Sequence, residues 1–211
     1  MGLFLIIFIT LTILFYAVPS LRYIIKRASL IVRLNKTVKK LNIKKYGKIR
    51  FISRKYKPIF IETEDLIYSI ILFPCFFKSM LFFNFNGSMQ VRRIGARRYI
   101  PIKPYYDISL SEFDFLYEYE KLPESCRTKK TIRILLLNPA PIDVHIPFNK
   151  NPYSINKKNI KVNPSPMSGW VPYDRYEERS TGDGDFIEGF FIVGANSFFK
   201  QIKRESKILN I

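Results

Sequence analysis

The chain's 211 residues are 47% apolar and 16% aromatic, and 35 Lys and Arg against 17 Asp and Glu leave a formal charge of +18. With an N-terminal anchor set aside, that length holds one domain with its own core and excludes a second large one. Two distant cysteines, Cys75 and Cys126, match neither a disulfide framework nor a zinc knuckle, and a single histidine excludes a His-rich metal centre.

The charge is unevenly spread. The first acidic residue is Glu62, whereas fourteen Lys and Arg lie between Arg22 and Lys57; residues 62–211 carry 21 basic against 17 acidic side chains. The excess therefore follows directly on the N-terminal stretch, in which Leu3 to Val18 are sixteen consecutive uncharged residues. Sixteen helical residues at about 1.5 Å each reach about 24 Å, short of the roughly 30 Å hydrocarbon core. The expected transmembrane anchor, residues 1–20, therefore extends to residue 25 through Leu21, Tyr23, Ile24 and Ile25, with Pro19 bending it and Arg22 and Lys26 snorkelling. A cleaved signal peptide fits less well, because no basic residue precedes the apolar run. The positive-inside rule puts the amino terminus outside and the C-terminal domain in the cytoplasm, a single-pass protein of the cell membrane.

Residues 21–46 read as an amphipathic basic helix ended by Tyr46-Gly47. Leu21, Ile24, Ile25, Ala28, Ile31, Val32, Val38 and Leu41 recur at three- and four-residue steps. Arg22, Lys26, Arg27, Arg33, Lys36, Lys39 and Lys40 are its candidate lipid-binding residues, because an anionic leaflet attracts each nearby cation by about 1 kcal/mol. A solvated stalk whose apolar stripe packs on the domain is the bland alternative. Nucleic acid is the less favoured partner, since the basic segment lacks the interleaved aromatics that stack bases.

From residue 47 to 211 the pattern is that of an α+β domain: a small mixed or antiparallel sheet closed by a C-terminal helix. Lys48–Arg54 and Pro58–Glu64 read as strands. Leu66–Phe83 has Lys78 as its one charge and is long enough for a second membrane span, but Pro74 and Lys78 favour strand, connector, strand. Asn86-Gly87 marks a hairpin ahead of Met89–Ile94. Arg92, Arg93, Arg97 and Arg98 form a second basic cluster that reads as a charged strand edge in preference to a phosphate site. Phe113, Phe115, Tyr117 and Tyr119 alternate with Asp114, Leu116, Glu118 and Glu120, which predicts an acidic-faced strand. Thr131–Leu137 is the strongest core strand, followed by Ile142–Ile146 and a long loop over 148–172 that Trp170 anchors. An apolar strand at Phe186–Val193 leads into a helix over Phe198–Leu209.

Chemistry is sparse. His145 and Asp143 share a face of an alternating strand, which makes them weak catalytic candidates as base and orienter, but no nucleophile elbow accompanies them. Asp183, Asp185 and Glu188 are weak metal candidates in a glycine-rich turn with too few ligands for a calcium loop. Glu62, Glu64 and Asp65 precede an apolar strand, yet Ser69-Ile70-Ile71 supplies neither the acid nor the lysine of a two-metal site. No GxGxxG or P-loop occurs, and no cofactor is implied. The expectation is a membrane-anchored binding or scaffolding domain apposed to anionic lipid, with a further protein partner unspecified. The alternative is a membrane-tethered nucleic-acid-binding or hydrolase-like domain.

Overall fold

The computed structural model describes residues 2–17, 19–48, 56–75, 79–84, 87–94, 99–101, 108–146, 153–154, 170–173 and 189–208. Two helices open the chain, α1 (Gly2–Ala17) and α2 (Pro19–Lys40). Seven strands follow: β1 (Lys44–Tyr46), β2 (Ile59–Glu62), β3 (Leu66–Pro74), β4 (Ser79–Phe83), β5 (Ser88–Ile94), β6 (Tyr99–Pro101) and β7 (Ile108–Ser109). A short α3 (Glu124–Arg127) precedes β8 (Lys130–Asn138), β9 (Asp143–His145), β10 (Tyr153–Ser154), β11 (Trp170–Tyr173) and β12 (Phe190–Gly194), and α4 (Ala195–Ile208) follows.

The strands form two mixed sheets where one was expected. The first has the order β1-β2-β3-β8-β12-β11, with β3, β8 and β12 parallel at its centre; the second has the order β10-β9-β4-β5-β6, with β7 beside β5. The central run Thr131–Leu137 is almost continuously apolar because β8 is covered on both faces, as parallel strands usually are. Tyr68, Ile70, Leu72, Ile132, Ile134, Leu136 and Val193 face α2 and α4. Ile71, Phe73, Leu135, Leu137 and Ile192 face the other way, against Leu81, Phe83, Met89, Val91 and Val144 of the second sheet. The result is three layers: helices, first sheet, second sheet.

Residues 66–83 are strand, connector, strand, with β3 and β4 assigned to different sheets. The hairpin of β4 and β5 turns through Gly87, whose φ of +70° favours glycine. Other expectations are corrected. The basic helix ends at Lys40, not at residue 46: Asn42 takes the left-handed conformation (φ 51°), and Ile43 N–H and Asn42 N–H donate to the Val38 and Lys39 carbonyls. That is a Schellman stop, and it frees residues 44–46 to pair as β1.

The segment Phe113–Glu120 is not a strand. The Leu116 N–H donates to Asp114 Oδ1, the Tyr119 N–H donates to the Leu116 carbonyl, and Glu118 has φ 65°, so the chain coils in successive turns while Phe113 and Phe115 still reach the core. Alternation of large residues is thus produced here without extended backbone. The span 148–172 holds β10 and β11 rather than loop throughout, with Trp170 paired to Val193. The expected strand Lys48–Arg54 lies outside the described residues beyond Lys48, as do Arg97 and Arg98. The last strand starts at Phe190 and the last helix at Ala195. Among the described residues no helix is long and apolar enough to cross a membrane; α1 has 16 residues.

Candidate membrane-facing site

α1 carries no charge and no amphipathic stripe, so it is apolar on every side. Leu3, Phe4, Leu5, Ile6, Phe8 and Ile13 are 61–80% exposed. A helix that is apolar all round normally lies in a protein core or a bilayer.

α2 has two apolar stripes where the spacing suggested one. Leu30, Ile31, Leu34 and Val38 lie at core spacing and pack on the first sheet beside Phe198, Phe199 and Ile202 of α4. Ile24, Ile25 and Val32 point outward, 45%, 45% and 64% exposed. Leu30 and Leu34, absent from the predicted stripe, are fully buried and are the inner face's principal anchors. The helix therefore both completes the domain core and presents an apolar edge away from it.

The predicted lipid-binding residues divide accordingly. Arg33, Lys36, Lys39 and Lys40 are exposed, and Lys26 is half-buried. Arg33 is also tied to the domain: Nη2 donates to Asn196 Oδ1 at 2.7 Å, and its guanidinium carbon lies 4.5 Å from the Phe199 ring centroid. Arg22 falls in the first turns of α2, but its side chain lies outside those described. Arg27 is buried, contrary to a role in diffuse surface attraction.

Of the other candidates, Asp143 and His145 form no reaction centre among the described residues. Asp143 and His145 share the outer face of the second sheet, opposite Met80 and Phe82 of β4. The His145 ring stacks on Phe82 at 5.2 Å, and the Arg92 guanidinium lies 4.2 Å from the Phe82 centroid, held by two bonds to Gln90 Oε1. Among the described residues no hydrogen bond joins Asp143 to His145. Asp183, Asp185 and Glu188 lie outside the described residues, and among those described no group of three His, Cys, Asp or Glu could hold a metal.

A cleft of about 390 Å³ opens at the far end of α2, lined by Leu41, Ile43, Lys44, Glu62, Glu64, Lys129, Ile202 and Glu205. Lys129 Nζ bonds Glu62 Oε1 and the Thr63 carbonyl, both at 2.9 Å, and the Tyr46 hydroxyl donates to Glu62 Oε2 at 3.0 Å. Lys129 holds the Glu62 carboxyl below its ordinary range, against the opposing effect of burial, with Tyr46 and the buried Cys126 thiol adding to the lowering. Across the cleft the Tyr68 hydroxyl donates to Glu205 Oε1 at 2.6 Å, and burial followed by this carboxylate pushes the Tyr68 phenol up. Fixed carboxylates beside apolar walls suit binding of a polar ligand. The sequence gives no sign of this cluster, because residues 46, 62, 129 and 205 meet through tertiary packing alone. Comparison with protein-family models, curated proteins and solved structures finds no match to this chain.

Proposed function

We propose that the chain is a single-pass membrane protein whose α+β domain, on the cytoplasmic side, is held against anionic lipid and serves as a binding or scaffolding module. The observation that carries this reading is the exposure of every described side chain of α1, residues 2–13. Burying one large apolar side chain contributes about 1.5–3 kcal/mol. Leaving six or more in water forgoes on the order of 10 kcal/mol, comparable with the roughly 5–15 kcal/mol of a whole domain's stability. Lipid covers such a helix at no cost to the domain. The outward Ile24 and Ile25 of α2 would supply the missing length: running on from α1 as one helix, Leu3 to Ile25 would reach about 34 Å, against a core of roughly 30 Å. Lys36, Lys39 and Lys40 then lie beyond the interface, where the leaflet's potential favours cations.

Membrane retention of the full chain tests the reading. The wild type should resist alkaline carbonate extraction. The double variant Leu11→Lys, Ile13→Lys, near the middle of the span, should be released, each lysine costing about 2.5–3.5 kcal/mol at mid-bilayer. Release of the wild type, or unchanged retention of the variant, would contradict it.

A further inference from the structure

Arg27 and Glu62 are the two buried charged side chains among the described residues. Their surroundings differ. Glu62 has an ammonium at 2.9 Å, whereas Arg27 pairs with no carboxylate among the described residues. Among the described residues its Nε has no hydrogen-bond partner, and Nη1 reaches the Tyr23 hydroxyl at 3.4 Å, long for a charge-assisted bond. Arginine cannot escape burial by giving up its proton, so an uncompensated guanidinium that is 5% exposed calls for an anion.

The acidic side chain felt at this group is Glu112, which acts on Tyr56, but among the described residues it forms no ion pair with Arg27. The bond to Tyr23, one turn earlier, directs the guanidinium back along α2 towards α1. Tyr23 in turn is hydrogen-bonded to Tyr56, whose phenol is pushed up by burial and by Tyr23, so it stays protonated and neutral. Next to this group, Ile24 and Ile25 turn outward. Tyrosines beside outward aliphatic residues are the composition of a membrane interface, where lipid phosphates lie.

We propose that the Arg27 guanidinium, with the Tyr23 hydroxyl beside it, is a discrete phosphate-binding site whose occupant is the phosphate of an anionic lipid headgroup. The occupant rests on the membrane-anchored reading above. The site differs from the diffuse field of Lys36, Lys39 and Lys40 in being a single partly desolvated contact, which salt screens weakly.

The test is the thermal midpoint of the full chain in neutral detergent, with dihexanoyl phosphatidic acid, dihexanoyl phosphatidylcholine or inorganic phosphate added. Saturating phosphatidic acid should raise the wild-type midpoint by about 3–6 °C, and the rise should persist in high salt. Phosphatidylcholine, whose choline neutralises its phosphate, should give at most a small part of it. The rise should vanish in Arg27→Gln and survive in the triple variant Lys36→Gln, Lys39→Gln, Lys40→Gln. Should Arg27→Gln fail to fold, Arg27→Met replaces it, because removing an unpaired buried charge for an apolar chain of similar length is neutral or stabilising. A rise retained in Arg27→Met, or lost in the triple variant, overturns the site. An equal rise from inorganic phosphate keeps the phosphate site and overturns the lipid as its occupant. Carbonate resistance of Arg27→Met separates the two readings: it should match the wild type, so loss of the lipid response with anchoring intact refers to the site alone.

Discussion

Glu62 and Lys129 show how a charge is kept inside this domain. The carboxylate accepts from an ammonium and a phenol, and across the cleft Glu205 accepts from the Tyr68 phenol and the Gln201 amide. Because folding holds Glu62 below its ordinary 4.5, the unfolded chain takes up a proton first as pH falls. The pair's contribution is therefore fully present above about pH 4.5 and is lost as pH drops through the lower folded value. Glu62→Gln removes one charge and leaves Lys129 half-satisfied. It should cost on the order of 2 kcal/mol at pH 7 in chemical denaturation, and the difference from wild type should shrink below pH 4. A variant as stable as the wild type at pH 7 would show that the pair is idle.

At the scale of elements, the stop of α2 decides whether residues 44–46 continue a helix or join the sheet. Asn42 holds a left-handed conformation that costs most L-residues about 1–2 kcal/mol and glycine almost nothing. Asn42→Gly should leave thermal stability unchanged or slightly raised, and Asn42→Val should lower it by about 1–2 kcal/mol; equal effects would mean that the turn does not control the stop. This stop was hard to read in the sequence, because asparagine tolerates many conformations and the apolar spacing continues past Lys40, where the helix ends, to Leu41. The strongly patterned elements were legible: the core strand around Leu135, the hairpin at Gly87 and the terminal helix each announce themselves through local composition. Phe113–Glu120 was not, since large residues two apart reach the core equally from coils of turns. The second sheet was not legible either, because β4 looks like a continuation of β3 until its neighbours β5 and β9 are known. Of the candidate site, the placement of Lys36, Lys39 and Lys40 outward followed from spacing, while the burial of Arg27 depended on Leu30 and Leu34 setting a different inner face.

For the whole molecule, the distribution of charge matters more than its total. Fourteen cations without an anion before Glu62 sit beside a helix that water cannot solvate well, and the rest of the chain is nearly balanced. The proposed arrangement puts α1 and the first turns of α2, as far as Ile25, in the bilayer, the rest of α2 at its surface, and both sheets beyond it. The native thiols Cys75 and Cys126 are fully buried, so single introduced cysteines report topology without background. Labelling of Gly2→Cys and of Lys200→Cys, on an exposed position of α4, with a membrane-impermeant maleimide is the most direct measurement. Gly2→Cys should react in intact cells, and Lys200→Cys only after permeabilisation. Reaction of both in intact cells, or of neither, would contradict a single-pass anchor with its domain inside.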